Sequence, residues 1–201
     1  NSKKVIDTIY PSVHPISQPH NKKQYILMAT AWKRGKNPEY ILELAPYINN
    51  LPIKMAGKWI DPNYKVEFEA KIKKHNLTEK IELIGEVSEK KLSSLYAEAL
   101  FVLQTNDDRG FGMPALEAAG KATTFIIPKD QGVCKLFKDK THGYYTKEKD
   151  TKRIIELIEK LTNNPDTAVK MGKVAWQKVL DNYSWEQHAE QLLEVVNKHT
   201  T

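Results

Sequence analysis

Six short apolar runs recur along the chain, and most are followed by a turn and then a stretch with apolar residues at helical spacing. The runs are residues 25–30, 52–57, 80–85, 99–104, 123–128 and 143–145. The first, Tyr-Ile-Leu-Met-Ala-Thr, is apolar nearly throughout, as a central strand covered on both faces should be. Residues 38–48 carry Ile41, Leu42, Ala45 and Ile48 at helical spacing, with Asn37 as the expected N-cap. Asp61 and Pro62 open a helix to about residue 74, and Ser88 begins another in which Leu92, Leu95, Tyr96 and Ala99 share one face. Residues 114–119 read as a helix with Pro114 in its first turn, and 131–137 as a short helix or turn. The tail is helical over 152–161, from 165 to about 181 with Asn164 as cap, and again after a capping box at Ser184-Trp185-Glu186-Gln187. That last helix should present Ala189, Leu192, Leu193 and Val196 as its apolar face. At the other end, residues 5–9 alternate like a short strand, and 16–23 form a polar linker.

Strands alternating with helices predict an α/β chain: a Rossmann-like, doubly wound parallel sheet of about six strands, with extra helices at the C-terminus. Right-handed crossovers put every strand-to-helix loop at one edge of such a sheet, where ligands bind. Loops 31–37 and 105–113 both fall there. The expected organisation is a connector with a first short strand over 1–24 and a single ligand-binding domain over 25–201.

Composition narrows the class. With 201 residues the chain can bury one sizeable core, and no apolar run is long enough to span a bilayer. A single cysteine, Cys134, excludes an internal disulfide framework and suits a reducing, cytoplasmic setting. No Cys/His cluster has metal-ligand spacing, so no metal is expected. The net charge of +6 suits an anionic ligand or peripheral contact with an anionic membrane face. Its charges are interleaved, as in Lys71-Ile72-Lys73-Lys74 beside Glu67 and Glu69, which favours a solvated surface over a nucleic-acid footprint. The chain starts Asn1-Ser2-Lys3-Lys4, without Met or a signal-like apolar core, and is expected to be processed or cut from something longer.

The candidate chemistry lies in Asp107-Asp108-Arg109-Gly110-Phe111-Gly112-Met113-Pro114-Ala115-Leu116-Glu117-Ala118. A strand, a glycine-bearing turn and a helix aim free backbone N–H groups and the positive helix end at one point, which suits a phosphate. Gly110 and Gly112 carry no side chain to keep a ligand away from the backbone. Glu117 lies further along the helix, where a carboxylate can accept from sugar hydroxyls. A glycine pair alone would read better as a tight turn without ligand.

The longer string resembles the motif of retaining GT-B glycosyltransferases of group 1 (glycosyltransferase family 4), Glu-Gly-Phe-Gly-Leu-Pro-x-Leu-Glu-Ala. It departs from that motif at one place, where Arg109 stands for the first glutamate. Residues Gly85-Glu86-Val87 through Leu92-Ser93-Ser94-Leu95-Tyr96 and Tyr183-Ser184-Trp185-Glu186 resemble further segments of the family, and the likeness runs over about residues 5–198. It implies the C-terminal, donor-binding half of a GT-B enzyme whose own N-terminal domain would bring the acceptor. The expected reaction is retaining transfer from a nucleotide-diphosphate sugar, such as a UDP- or GDP-sugar, to a glycan, lipid-linked sugar or similar acceptor. That sugar nucleotide is substrate, and no cofactor is implied. The fragment alone should bind donor weakly and transfer nothing.

By the same resemblance, Lys36 meets the diphosphate, with Arg34 or Lys33 compensating for Ala31 at the family's arginine place. Amides around Gly112 and Met113, bracketed by Phe111, Pro114 and Leu116, meet phosphate or sugar. Glu117 takes the ribose, and backbone near Gly85 and Val87 takes the base. Arg109, Glu117 and Lys36 are the residues closest to catalysis. Arginine cannot accept a hydrogen bond. Three alternatives stand: Arg109 meets a carboxylate or phosphate, Asp107 or Asp108 takes over the acceptor role, or the chain no longer catalyses. Rival readings are a catalytically silent sugar-nucleotide-binding module, a nucleotide-sugar epimerase-like half, and a basic nucleic-acid-binding domain.

Overall fold

The computed structural model describes residues 8–19, 25–49, 51–105 and 110–200. Six strands form one sheet: β1 (Ile26–Ala29), β2 (Ile53–Ala56), β3 (Ile81–Gly85), β4 (Phe101–Leu103), β5 (Thr124–Pro128) and β6 (Tyr144–Thr146). Their order is β3-β2-β1-β4-β5-β6, and every neighbouring pair is parallel. The helices are α1 (Tyr40–Leu44), α2 (Pro62–Lys74), α3 (Glu89–Glu98), α4 (Met113–Gly120), α5 (Thr151–Asn163), α6 (Pro165–Asn182) and α7 (Trp185–Thr200).

Side-chain alternation along the strands divides the core in two. Ile26, Met28, Ile53, Met55, Phe101, Leu103 and Ile126 pack with α1, α2 and α5 on one face. Leu27, Ala29, Ala56, Val102, Phe125 and Ile127 pack with α3, α4 and α6 on the other. A strand buried on both faces must be apolar at every position, which is why β1 reads Ile-Leu-Met-Ala. The loops that leave the carboxyl ends of β1 and β2 therefore head for the first face, and those leaving β3 and β4 for the second.

Local chemistry accounts for most boundaries. Asp61 accepts a hydrogen bond from Asn63 N–H at 2.9 Å at the start of α2, and Ser88 accepts from Lys91 N–H at 3.3 Å at the start of α3. Ser184 Oγ accepts from Gln187 N–H at 3.3 Å before α7. Asn37 does not cap α1. It sits at φ 47°, ψ 52°, closing a 3-10 turn over Arg34–Lys36, and α1 begins three residues later. An asparagine tolerates this left-handed conformation, so the residue that suits an N-cap serves here to reverse the chain. The helix is also shorter than its periodicity suggests, passing into a 3-10 segment at Ala45–Tyr47 because Pro46 has no N–H to donate. Asn164 gives α6 no side-chain cap, its amide donating instead to Lys160 O at 3.2 Å.

Of the expected strand at 5–9, residues 5–7 lie outside the described residues, and Thr8 and Ile9 are not in a strand. Part of the expected linker is fastened down: Ile16 N–H donates to Gly120 O at 2.9 Å, and Trp176 Nε1 donates to Ile16 O at 3.0 Å. On α7, Leu192, Leu193 and Val196 are 49%, 61% and 47% exposed, so its apolar face is not covered by the described residues. No helix among the described residues is long and apolar enough to cross a membrane.

Candidate functional site

Loops at the carboxyl ends of β1, β2, β3 and β4 enclose a cleft of about 510 Å³. Thr30, Ala31 and Lys36, with Gly57 and Lys58, line it from the loops leading to α1 and α2. Leu92 and Tyr96 of α3, with Met113, Pro114 and Glu117 of α4, line it from the other face of the sheet. Glu86 and Val87 contribute at the β3 end, Gln104 and Gly110–Gly112 at the β4 end.

The glycine turn is held by backbone chemistry. Gly112 takes φ 90°, and a Cβ there would sit 2.4 Å from Gln131 Oε1 and 2.7 Å from Val133 Cγ1. Only glycine meets both conditions. Gly132 N–H donates to Gly110 O at 3.2 Å and Val133 N–H to Phe111 O at 2.6 Å, so the segment after β5 straps the turn in place. The chain then enters α4, with Pro114 in the first turn. Of the first N–H groups of α4, Pro114 has none and Ala115 N–H donates to Gly112 O at 3.0 Å, which leaves that of Met113, a residue that lines the cleft at the positive end of the helix.

Glu117 is half-buried and accepts a hydrogen bond from Tyr96 Oη at 2.5 Å. Tyr96 is 2% exposed. Burial, and then the charge of Glu117 and the bond to it, push the Tyr96 hydroxyl well above the usual tyrosine range, so Tyr96 remains a donor. This bond takes one of the roughly four acceptor positions of a carboxylate, leaving others for hydroxyl groups.

The structure brings Lys36, Val87, Gly110, Phe111, Gly112, Met113, Pro114 and Glu117 to this one cleft. Arg34 lies elsewhere, with Nη2 donating to both oxygens of Glu67 at 3.0 and 2.9 Å and the guanidinium 4.4 Å from the Tyr64 ring centre. Leu116 is fully buried in the core beneath α4. Gly85 does not line the cleft, and its carbonyl accepts from Gly57 N–H at 2.7 Å. That bond belongs to the crosslinking of neighbouring strand ends, as does Gly57, where a Cβ would fall 1.9 Å from Thr30 O. Asp107, Asp108 and Arg109 lie outside the described residues.

Tyr96, Thr30, Lys58, Glu86 and Gln104 line the cleft without having been singled out in the sequence. Gln104 carried one readable signal, a polar residue directly after an apolar strand at the binding edge. Tyr96 closes the family-like segment that starts at Gly85, but its place in an apolar stripe reads as packing. Trp32 and Trp59 are packing residues, stacked at 5.8 Å between ring centres and buried.

A doubly wound parallel sheet of order 3-2-1-4-5-6 with a cleft over its strand ends is a Rossmann-like α/β arrangement. The model of the glycosyl transferases group 1 family matches residues 11–178, and the chain belongs to that family. Among curated proteins, the α-1,3/1,6-mannosyltransferase ALG2 of Mus musculus is 26% identical over 195 residues, or 90% of this chain and 46% of ALG2. The chain thus spans about half the length of that relative. Among solved structures, a TarM mutant of S. aureus in complex with fondaparinux, α-GlcNAc-glycerol and UDP matches with TM-score 0.84 and 20% identity, over 98% of this chain and 40% of TarM. The C-terminal domain of LpcC, a glycosyl transferase group 1 family protein of Francisella tularensis, matches with TM-score 0.72 and 20% identity, over 86% of this chain and 96% of that domain.

Proposed function

We propose that this chain is the C-terminal, donor-binding half of a retaining glycosyltransferase and that its cleft takes a nucleoside-diphosphate sugar. The observation that carries the reading is the meeting of Lys36, the start of α4 and Glu117 in one cleft. The likeness to UDP-bound TarM and to a C-terminal group 1 domain supports it.

In this reading the diphosphate lies between Lys36 and the Met113 N–H at the positive end of α4. Charge grows on the leaving phosphate oxygen as the glycosidic bond breaks. A lysine and fixed amide dipoles there stabilise the transition state more than the bound substrate. These groups, rather than a metal, balance the diphosphate. Glu117, held by Tyr96, accepts from two ribose hydroxyls, and the base lies toward Val87. The acceptor and the groups that face the sugar from its other side belong to an N-terminal domain, so the chain alone binds donor without transferring a hexosyl group. A silent sugar-nucleotide-binding module is the second reading, favoured by Arg109 in place of the family's glutamate. Product formation by the full-length protein separates the two.

Calorimetry with UDP, GDP and ADP tests the cleft. At least one should bind, and Lys36→Ala should weaken it about tenfold, the loss of one charge-assisted contact of about 1.4 kcal/mol. Arg34→Ala should leave the affinity within about twofold, because its solvent-exposed pair with Glu67 lies outside the cleft. Absence of binding by all three diphosphates and their sugars overturns the reading.

A further inference from the structure

Beside the cleft lies a second, much smaller space of about 10 Å³, lined by Met28, Trp32, Leu103 and Thr105 together with Ala29, Thr30, Lys36 and Gln104. The last four also line the cleft, so the two spaces share a wall. The small space has room for a single oxygen-sized group.

Two polar side-chain oxygens border it without a hydrogen-bond partner among the described residues. Gln104 is 7% and Thr105 6% exposed, and both Gln104 Oε1 and Thr105 Oγ1 are buried with no hydrogen bond. A buried acceptor left unpaired has given up its water partners without gaining another, at a cost in stability. Two such atoms next to one oxygen-sized space are a cost the free chain carries, and such costs collect at functional sites. The backbone beneath is fixed, with Gln104 N–H donating to Ile126 O at 3.0 Å.

Strand order gives the position along the ligand. Val87 follows β3, and Gln104 follows β4, three strands further across the sheet. With the base toward Val87 and the diphosphate at Lys36 and α4, the glycosyl group lies over the β4 end, beside Gln104.

We infer that Gln104 and Thr105 form a hydroxyl-reading subsite for the transferred sugar. The sugar hydroxyl donates to Gln104 Oε1 and accepts from the Thr105 hydroxyl, entering the small space as Lys36 or Gln104 rotates. The two residues thereby set which sugar is accepted. Among the described residues that line the space, Lys36 is the one cation, and the subsite takes a neutral hydroxyl. This inference rests on the proposed donor site.

Calorimetry and thermal unfolding of the chain, wild type against Gln104→Leu and Thr105→Val, test it. The probes are UDP, GDP and ADP, then UDP-glucose, UDP-N-acetylglucosamine, GDP-mannose and ADP-glucose. In both variants the preferred diphosphate should keep its affinity within twofold. The matching nucleotide-sugar should bind tenfold or more weakly to Gln104→Leu and severalfold more weakly to Thr105→Val, since a site built to pair a hydroxyl is sensitive to its loss. Melting temperatures without ligand should hold or rise, because an unpaired buried polar atom has been removed. Unchanged sugar-nucleotide affinity in both variants overturns the inference and leaves the donor site standing. So does a melting temperature that falls in both while every ligand is affected alike, the result expected of a structural water held between the two side chains. If no probe binds the wild type, the donor site fails and this subsite fails with it.

Discussion

Gly112 shows how much of the cleft hangs on single residues. Its φ of 90° lies where L-residues pay strain, and the space that a Cβ would need is taken by Gln131 and Val133. Gln131 can swing its amide end aside, but Val133 is fully buried and cannot. Gly112→Ala should therefore destabilise by about 1–3 kcal/mol with an unchanged urea m-value, measured by equilibrium unfolding. It should also turn the Met113 N–H at the start of α4 away from the cleft and weaken diphosphate binding more than Lys36→Ala does. Tyr96 works at the same scale. Since burial and Glu117 keep its hydroxyl protonated, the Glu117 carboxylate keeps one orientation across the neutral pH range.

Between elements, Glu39 ties the turn before α1 to α2. Its carboxylate accepts from Tyr64 Oη at 2.5 Å and from Lys71 Nζ at 2.9 Å. Burial pushes its pKa up, but the bonds from Tyr64 and Lys71 outweigh burial and hold it below the usual carboxylate range. A depressed carboxylate pKa contributes stability above the unfolded pKa of about 4.3, which is lost as pH falls through the folded value. Glu39→Gln should cost about 0.5–1 kcal/mol near neutral pH, a figure reduced for partial solvent screening. The difference from wild type, read from urea midpoints, should shrink steadily below about pH 4. This loop region is also where sequence patterning reached its limit. All six strands are legible because a strand buried on both faces has to be apolar, and α2, α3 and α7 are legible from Asp61, Ser88 and Ser184. Asn37 misleads because the residue types that cap helices also tolerate left-handed turns, and only the backbone distinguishes the two. In the cleft, Lys36, Gly112 and Glu117 are readable from motif and spacing. Tyr96 and Gln104 are readable only in part, since a tyrosine closing a family-like segment and a glutamine after a strand acquire a role only when α3, α4 and β4 are brought together.

At the scale of the whole chain, the cleft follows from topology. Strands β1, β2 and β3 are laid down in one direction across the sheet. The chain then crosses back, with β4 beside β1, to lay down β5 and β6 the other way. The loops after β1 and β4 thus leave toward opposite faces and open a crevice between them. Lys36 comes from one of these loops and the start of α4 from the other, so residues about 80 positions apart converge because of strand order. The most direct measurement of that convergence is a backbone amide NMR titration of the chain with the tightest-binding nucleoside diphosphate. Shifts should concentrate at Gly112, Met113, Ala115 and Glu117 and around Lys36, with α5 and α7 unaffected. Saturating binding that leaves these amides unmoved, or that moves only residues outside the cleft, would contradict the account.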